Sequence, residues 1–369
     1  MSIGIIGCGK LGICYATLLS NVGLKVYCYD INSKILDDIR DDKYNYMEPS
    51  LNELIRINKE NLIICDTINE VIEKTLIIMT FIQTPSMEDG SYNHKYINAF
   101  IDDCVKLGKQ ETLKTIVICS TVMPEYCDSI LDIVKDYNYN IIYNPSFISQ
   151  GSIIANIKNP DFILIGNNNE ENKELINIHR KIIENDMVIF KMTRLHEAEI
   201  IKISINCYIT MKISYANLIG DFARSLKCDE NVILDAIGTD NRIGHRYLNY
   251  GYGFGGPCLP RDNKALYHYY KNRNNNENIN FDICNIIDNN NKNHLMFQYE
   301  QLKNSKDPIY FTYITYKDTS NILEESQKLK LALLLVENGN DVIIKERKEI
   351  IDLLKNKYSN YKNLHFIEI

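Results

Sequence analysis

Short runs of apolar residues alternate with helically spaced segments through the first half of the chain. One run covers residues 2–7 and a second covers residues 24–30, with helical apolar spacing between them. Continuous apolar runs of this length are typical of strands buried in a parallel sheet. Four later runs have the same character, at residues 75–81, 115–121, 140–146 and 162–166. The alternation predicts an α/β domain over residues 1–195.

The pattern changes after residue 194. Helical spacing continues to Gly220 and beyond, which predicts one helix of about 30 residues, or about 45 Å at 1.5 Å per residue. A segment rich in glycine and proline follows at residues 251–262. Five glycines and prolines surround one cysteine within residues 253–260, which indicates a rigid open loop rather than core packing. A helix resumes near residue 263.

An asparagine-rich stretch at residues 272–293 has two interpretations, a flexible lid or a biased surface loop leading into a helix at about 283–303. We favour the surface loop. A strand, a helix and a strand after it predict a short second βαβ unit. The chain is therefore predicted to hold a Rossmann-like domain (1–195), a central helical domain (196–300) and a short C-terminal Rossmann-like domain (301–369).

Composition narrows the class of protein. The chain has 369 residues, of which 45% are hydrophobic and 24% are charged, close to the averages of soluble globular proteins. Wholesale disorder is therefore excluded. The net charge of −7 argues against a general nucleic-acid binder, which needs a basic face. It allows a local basic pocket for a phosphorylated small molecule.

Eleven cysteines are spread through apolar segments, and no pair has C-x-x-C or zinc-site spacing. An odd count without a disulfide framework suggests a reducing compartment. The N-terminus shows no signal-peptide pattern, and no uncharged apolar run reaches membrane-spanning length. We therefore expect a soluble, cytoplasmic protein with no metal, membrane or nucleic-acid partner. At most one cysteine should be chemically special, and the other ten are interpreted as small core residues.

The first βαβ pattern contains a glycine motif. Gly7, Gly9 and Gly12 form G-x-G-x-x-G between the first strand and the first helix, and Asp30 follows Gly12 by 18 residues at the end of the second strand. Such glycines let a dinucleotide pyrophosphate approach a helix N-terminus, and the acid holds ribose hydroxyls. An acid at this position favours NAD over NADP, because it repels a 2′-phosphate.

Together these segments resemble the UDP-glucose/GDP-mannose dehydrogenase family, in particular its UDP-glucose 6-dehydrogenase group, over essentially the whole chain. The most specific element is the glycine-framed cysteine of residues 253–262 combined with Lys202 and Asn206, an i, i+4 pair on one helix face. In chain order the matching segments are GCGKLG (7–12), DINSKI (30–35), MEPSL (47–51), QTP (83–85), ST (120–121), NPSFISQG (144–151), NPD (159–161), EAEIIKISIN (197–206), RIG (242–244) and GFGGPCLPRD (253–262).

The resemblance implies that a sugar C6 alcohol is oxidised to a carboxylate with two NAD, through a thiohemiacetal and a thioester on a cysteine. It implies that Cys258 is the nucleophile and that Lys202 and Asn206 stabilise charge on the C6 oxygen. Asp262 and Thr121 would position water or relay a proton. Asp262 could also cap a helix that begins near residue 263.

The resemblance further implies contacts to cofactor and substrate. The implied NAD contacts are Gly7, Gly9, Lys10, Leu11, Gly12, Asp30, Lys34, Thr84, Thr121 and Arg261. The implied contacts to a UDP sugar are Phe147, Gln150, Lys202, Asn206, Arg242, Tyr247, Tyr252, Gly255, Cys258 and Lys317. Arg242 would reach a substrate on a neighbouring subunit, which implies a homodimer across the long helix. An ordinary solvated charge is the competing interpretation of Lys202 and Arg242, and an ordinary helix-start residue is that of Lys34.

The chain departs from the family pattern at several positions. Ser146 and Gln150 stand where the family has two glutamates, and neither can act as a carboxylate base at neutral pH. Glu324 stands where an arginine is expected near UDP, and the UDP-sugar-binding domain is predicted to be truncated. Three hypotheses stay open: a UDP-glucose 6-dehydrogenase, a dehydrogenase of a UDP-N-acetylhexosamine or GDP-mannose, and a degenerate NAD-binding non-enzyme. The first is preferred, because decay would be expected to reach the cysteine loop too.

Overall fold

The computed structural model describes residues 2–44, 46, 48–148, 151–168, 173–272, 279–318 and 320–369. The chain forms two compact units. The first contains Met1–Glu88 and Tyr92–Lys202, and the second contains Asp89–Ser91 and Ile203–Ile369. The boundaries of the three predicted domains stay a prediction.

The first unit is built on an eight-stranded sheet. Its strands are β1 (Ser2–Ile6), β2 (Lys25–Tyr29), β3 (Leu62–Ile64), β4 (Ile77–Thr80), β5 (Lys114–Ile118), β6 (Tyr139–Tyr143), β7 (Phe162–Gly166) and β8 (Ile189–Thr193). They lie in the order β3-β2-β1-β4-β5-β6-β7-β8, and all neighbours are parallel except β6 and β7. The order runs outward in both directions from β1 and β4, so the strand ends there form the switch point at which open α/β sheets bind ligands. The predicted α/β class is confirmed.

Both faces of the central strands of this sheet are buried, which explains their continuous apolar runs. Ile77 and Met79 of β4 pack in one hydrophobic cluster, and Ile78 between them packs in another. Because successive strand side chains point to opposite faces, a strand covered on both sides has no solvated position. The helices of this unit are α1 (Lys10–Asn21), α2 (Ser33–Arg40), α3 (Leu51–Ile57), α4 (Ile68–Lys74), α5 (Lys95–Lys106), α6 (Tyr126–Val134), α7 (Ile153–Lys158) and α8 (Lys173–Ile182).

The long predicted helix is α9 (Leu195–Ser225), which begins in the first unit and continues in the second. It passes Gly220 without a break, and a Cβ there would lie 1.9 Å from the ring of Tyr250. Gly220 therefore makes room for an aromatic ring instead of ending the helix. The remaining elements are α10 (Glu230–Thr239), α11 (Leu259–Asn272), α12 (Asp282–Leu302), β9 (Ile309–Thr312), α13 (Gln327–Glu337), β10 (Val342–Glu346), α14 (Lys348–Tyr358) and β11 (Leu364–Glu368).

In the second unit a three-stranded parallel sheet, in the order β11-β10-β9, has its own hydrophobic core. The pattern predicted β9, α13 and β10 but not α14 or β11. It also missed β3 and β8 in the first unit. β8 reads IFKMT and is mostly exposed, and β3 has three residues, so neither has the apolar run that identified the other strands. Within the described residues no helix is long and apolar enough to cross a membrane.

Nine of the eleven cysteines are buried. Cys228 is exposed together with Cys258, so the interpretation of ten cysteines as core residues is wrong for Cys228.

Candidate functional site

The glycine motif forms a turn between β1 and α1 that excludes side chains at two of its three glycines. Gly7 has φ +93°, and a Cβ on it would lie 2.7 Å from the carbonyl oxygen of Phe81. A Cβ on Gly12 would lie 1.9 Å from the carbonyl oxygen of Gly7. A Cβ on Gly9 would meet nothing within 4 Å. The space over Gly9, at the N-terminus of α1, is where a pyrophosphate would approach, and the turn therefore fits a dinucleotide.

Asp30 closes the other side of this turn at the end of β2. Its carboxylate accepts hydrogen bonds from the backbone N–H of Cys8 at 2.7 Å and of Asn32 at 2.8 Å. The acid is thus held beside the glycine turn, as a ribose ligand must be. Lys10 begins α1 with its ammonium 4.7 Å from the ring centre of Tyr46, and burial lowers the pKa of Lys10.

The other predicted NAD contacts of this unit lie at strand ends or on the surface. Thr84 and Thr121 follow β4 and β5, and the Thr84 hydroxyl donates to the carbonyl oxygen of Thr121 at 2.8 Å. The two loops therefore meet at one edge of the sheet. Leu11 is half-buried in α1. Lys34 is largely exposed and pairs with Asp38 at 3.0 Å, within its own helix.

Glu199, which the sequence analysis did not single out, holds the loop that carries Thr121. This buried residue of α9 accepts the backbone N–H of Glu125 at 2.6 Å and of Cys127 at 2.7 Å, at the N-terminus of α6. Burial raises the pKa of Glu199. The sequence does hold a signal for Glu199: it is a charged residue one turn before Lys202 in α9, in a segment that otherwise packs apolar side chains.

Lys202 lies against the segment that carries Phe147. Its ammonium donates to the carbonyl oxygen of Ser146 at 2.9 Å and lies 4.5 Å from the ring centre of Phe147. The Ser146 hydroxyl shares a hydrogen bond with the Tyr15 hydroxyl at 3.1 Å. Lys202 is buried, so the solvated-charge interpretation of this lysine is wrong. A cavity of about 30 Å³ beside this segment has room for about two water molecules. Gln150 lies outside the described residues.

In the second unit three predicted residues meet around one buried carboxylate. The Asn206 amide donates to Asp262 at 2.6 Å, and the Arg261 guanidinium lies 3.3 Å from the other carboxylate oxygen. Asp262 is fully buried. Because α11 begins at Leu259, Asp262 lies inside its first turn, and the predicted capping of a helix starting near 263 is wrong.

Cys258 precedes α11 at the end of a loop that distant residues pack against. A Cβ on Gly255 would lie 2.3 Å from the carbonyl oxygen of Glu325, and one on Gly256 would lie 2.6 Å from the ring of Tyr316. Gly256 also has φ +79°. Burial and the nearby Cys258 raise the pKa of Tyr316. Cys258 itself is exposed. The loop is therefore closed to larger residues on its packed side while the thiol stays accessible.

The remaining predicted substrate contacts are more exposed. Arg242 is 88% exposed and pairs with Asp240 at 2.6 Å, two residues away. Tyr247 is half exposed, with φ +62°. Tyr252 is 40% exposed, and the Lys328 ammonium lies 5.4 Å from its ring centre. Lys317 is exposed and follows β9. Their roles stay predictions. Within the described residues no cluster of metal-binding side chains occurs.

Comparisons with known proteins agree with this arrangement. Residues 1–183 match the NAD binding domain of the UDP-glucose/GDP-mannose dehydrogenase family, and residues 196–293 match its central domain. The UDP-glucose 6-dehydrogenase of Rickettsia felis is 30% identical over 277 residues, which are 74% of this chain and 61% of that protein. The chain thus spans about three fifths of the length of the curated relatives it matches. The prediction of NAD as the cofactor is confirmed.

Solved structures share the fold. A UDP-glucose dehydrogenase from Pyrobaculum islandicum has a TM-score of 0.87 at 23% identity, covering 100% of this chain and 86% of its own. A UDP-D-ManNAc dehydrogenase from Pyrococcus horikoshii has a TM-score of 0.79 at 19% identity, covering 94% of this chain and 83% of its own. At these identities the likeness concerns the fold and does not select a sugar.

Proposed function

Because the chain belongs to the UDP-glucose/GDP-mannose dehydrogenase family, we propose that it oxidises the C6 alcohol of UDP-glucose to the carboxylate of UDP-glucuronate. The observation that carries the proposal is the exposed Cys258 on a glycine-rich loop, four residues before the buried Asp262, which is bonded to Asn206. A nucleophilic cysteine needs access, and an acyl-transfer site needs fixed polar groups beside it. This combination supports covalent catalysis better than a structural role.

NAD supplies the chemistry of accepting a hydride, once from the C6 alcohol and once from the thiohemiacetal. The Cys258 thiolate adds to the C6 aldehyde, and the C–S bond that forms makes a thiohemiacetal. Loss of hydride and a proton from this adduct leaves a thioester on Cys258. Water then breaks the C–S bond, which releases the carboxylate and returns the thiol.

Charged and polar side chains have distinct roles in this proposal. The Lys202 ammonium contacts the carbonyl oxygen of Ser146 and the ring of Phe147, and we assign it the stabilisation of the substrate oxygen that gains charge. Asn206 is a neutral donor one turn further along α9. Asp262 would orient the hydrolytic water, because Ser146 stands in place of a carboxylate.

We further propose a homodimer that uses α9. Tyr208, Tyr215 and Phe222 recur every seven residues along this helix and are 58%, 49% and 61% exposed. An apolar stripe of this kind is typical of a protein interface. Arg242 would then reach the neighbouring subunit's substrate. Sedimentation of the F222E variant tests this, with a monomer expected where the parent chain is a dimer.

The activity test is NADH formation with UDP-glucose, UDP-N-acetyl sugars and GDP-mannose in parallel. The proposal expects two NADH per UDP-glucose. A clear preference for another sugar would transfer the same mechanism to that substrate. A chain that binds NAD in calorimetry and turns over none of the sugars would instead be the degenerate NAD-binding protein.

A second outcome follows from the lost glutamates. Ser146 is bonded to Tyr15 and offers no carboxylate, so hydrolysis is expected to be the slow step. Mass spectrometry of the intact chain after mixing with substrate and NAD should then find the sugar acid bound to Cys258. A chain that turns over without any such adduct would show that another group activates water efficiently.

A further inference from the structure

The backbone before Cys258 is held by polar side chains that the proposed reaction does not use. Asn217 of α9 accepts the backbone N–H of Gly251 at 3.0 Å and donates to the carbonyl oxygen of Tyr252 at 3.3 Å. Asn291 of α12 accepts the N–H of Phe254 at 2.9 Å and donates to its carbonyl oxygen at 3.0 Å. Two helices thus hold residues 251–254 in one conformation.

His294 lies one turn after Asn291 and completes this set. Its Nε2 lies 2.7 Å from the carbonyl oxygen of Gly251, and its Nδ1 lies 2.8 Å from the carboxylate of Asp221. The side chain is 3% exposed. A carbonyl oxygen and a carboxylate can only accept, so each contact needs a proton on the ring nitrogen. A neutral imidazole has one such proton and would turn a lone pair toward the other oxygen.

We propose that His294 is a buried imidazolium, paired with Asp221, and that it acts as a positioning residue that holds Gly251 and, through it, the Cys258 loop. The link to catalysis rests on the proposed function. The protonation state and the hold on the loop do not, because they follow from the contacts of His294 alone.

The charged groups around His294 agree with this assignment. The Asp221 carboxylate also accepts the Tyr250 hydroxyl at 2.8 Å, and the Tyr250 ring meets the His294 ring edge-on at 5.4 Å. Arg224 lies 4.5 Å from the Tyr250 ring centre, but its guanidinium is paired with Glu230 at 2.6 Å. His294 is thus the cation in hydrogen-bond contact with Asp221, and Arg224 adds a longer-range interaction with the same carboxylate. Removing the Asp221 charge would leave the buried imidazolium without its closest partner.

His179, the buried histidine of the first unit, is a contrasting case. Its Nε2 lies 2.7 Å from the Asn144 side-chain oxygen, and burial lowers its pKa to about 4, so it is neutral near pH 7.

The decisive variant is D221N in the full chain, because asparagine keeps the shape and an acceptor but removes the charge. D235N is the matched control: Asp235 lies 3.7 Å from His245, and both side chains are largely exposed. Nitrogen NMR of the histidine rings at about pH 7.5, where free imidazole is mostly neutral, reports the protons directly. The proposal expects two protonated nitrogens for His294 in the parent chain and in D235N, and one in D221N.

Amide hydrogen exchange of residues 250–258 measures the hold on the loop. It should be at least about tenfold faster in D221N and in H294Q, the change expected for losing one hydrogen bond to a charged group, and unchanged in D235N. If both variants fail to fold, the parent chain alone decides, because its nitrogen spectrum shows whether both ring nitrogens of His294 carry a proton. An unprotonated ring nitrogen on His294 in the parent chain, or exchange that is unchanged in both variants, would overturn the proposal.

Nitrogen NMR and hydrogen exchange can both be measured on a chain that has no catalytic activity. A chain with no dehydrogenase activity but a doubly protonated His294 would sink the proposed function and support this inference. Where activity is present, D221N should lower kcat and leave KM for NAD unchanged, because the pair touches the cysteine loop and not the glycine turn. An active enzyme in which His294 is neutral would support the proposed function and overturn this inference.

Discussion

The glycine turn of the first unit and the cysteine loop of the second both exclude side chains, but different atoms exclude them. At Gly12 the obstructing atom is the carbonyl oxygen of Gly7, in the same turn. At Gly255 it is the carbonyl oxygen of Glu325, beside α13. The first constraint is contained in a six-residue motif, and the second exists only once a distant segment has folded. A short motif therefore explains the constraint at Gly12, whereas the constraint at Gly255, like the one that Phe81 places on Gly7, needs a distant segment.

The largest effect is expected for a variant that changes the chemistry of the cysteine loop but keeps its shape. C258S keeps nearly the same volume but removes the thiolate, so sugar-acid formation should fall by about a thousandfold or more, as for other catalytic nucleophiles. NADH release and product mass spectrometry measure it. Binding of NAD, which belongs to the other turn, should not change.

Cys228 supplies the control for this variant, because it is the other exposed cysteine of the chain. C228S should retain full activity. Equal losses in both variants would mean that neither thiol is the nucleophile and that a general loss of folding explains the result.

Alanine substitutions at Gly12 and Gly255 test the comparison between the glycine turn and the cysteine loop. G12A and G255A each place a Cβ within 2.3 Å of a backbone oxygen that cannot move aside cheaply, so each should cost about 2–3 kcal/mol of stability. Hydrogen exchange should locate the damage in β1 and β2 for G12A, and in β9 and α13 for G255A. Damage from G255A confined to its own loop would contradict the contact with Glu325.

The same contrast explains what the sequence could predict. The strands with apolar runs, the turn at Gly7 and the long α9 were predicted because their signals are local and periodic. β8 was missed because its exposed position gives it no apolar run. Asn291 and His294 were missed because a biased asparagine-rich composition hid a polar face spaced i, i+3 on α12. Their partners, Phe254 and Gly251, lie some 40 residues earlier in the chain, at 37 and 43 residues.

Gly9 should behave differently from both obstructed glycines. A Cβ there meets nothing within 4 Å and φ is −64°, so G9A should leave the free energy of unfolding within about 0.5 kcal/mol of the parent chain. The methyl group would instead occupy the approach of the pyrophosphate, and NAD affinity should fall by about tenfold, or 1.4 kcal/mol. Calorimetric titration and urea unfolding followed by circular dichroism measure the two quantities. Unchanged NAD affinity in a stable G9A would move the pyrophosphate away from this turn.

The smallest effect is expected for Glu199, a buried carboxylate that bonds a distant loop of the first unit. Its pKa is raised by burial above the unfolded value, so its protonated form is favoured in the folded chain, and its contribution to stability is lost as pH rises from about 4.5 through its own pKa. E199Q cannot titrate, so the parent chain should lose stability relative to E199Q over that range, by about 1 kcal/mol or less. Urea unfolding of both chains between pH 4.5 and 7 measures the difference. A gap that widens in favour of the parent chain as pH rises would mean that the N–H groups of Glu125 and Cys127 stabilise the carboxylate more than burial destabilises it, and the first unit would then depend on a distant charge as much as the cysteine loop does.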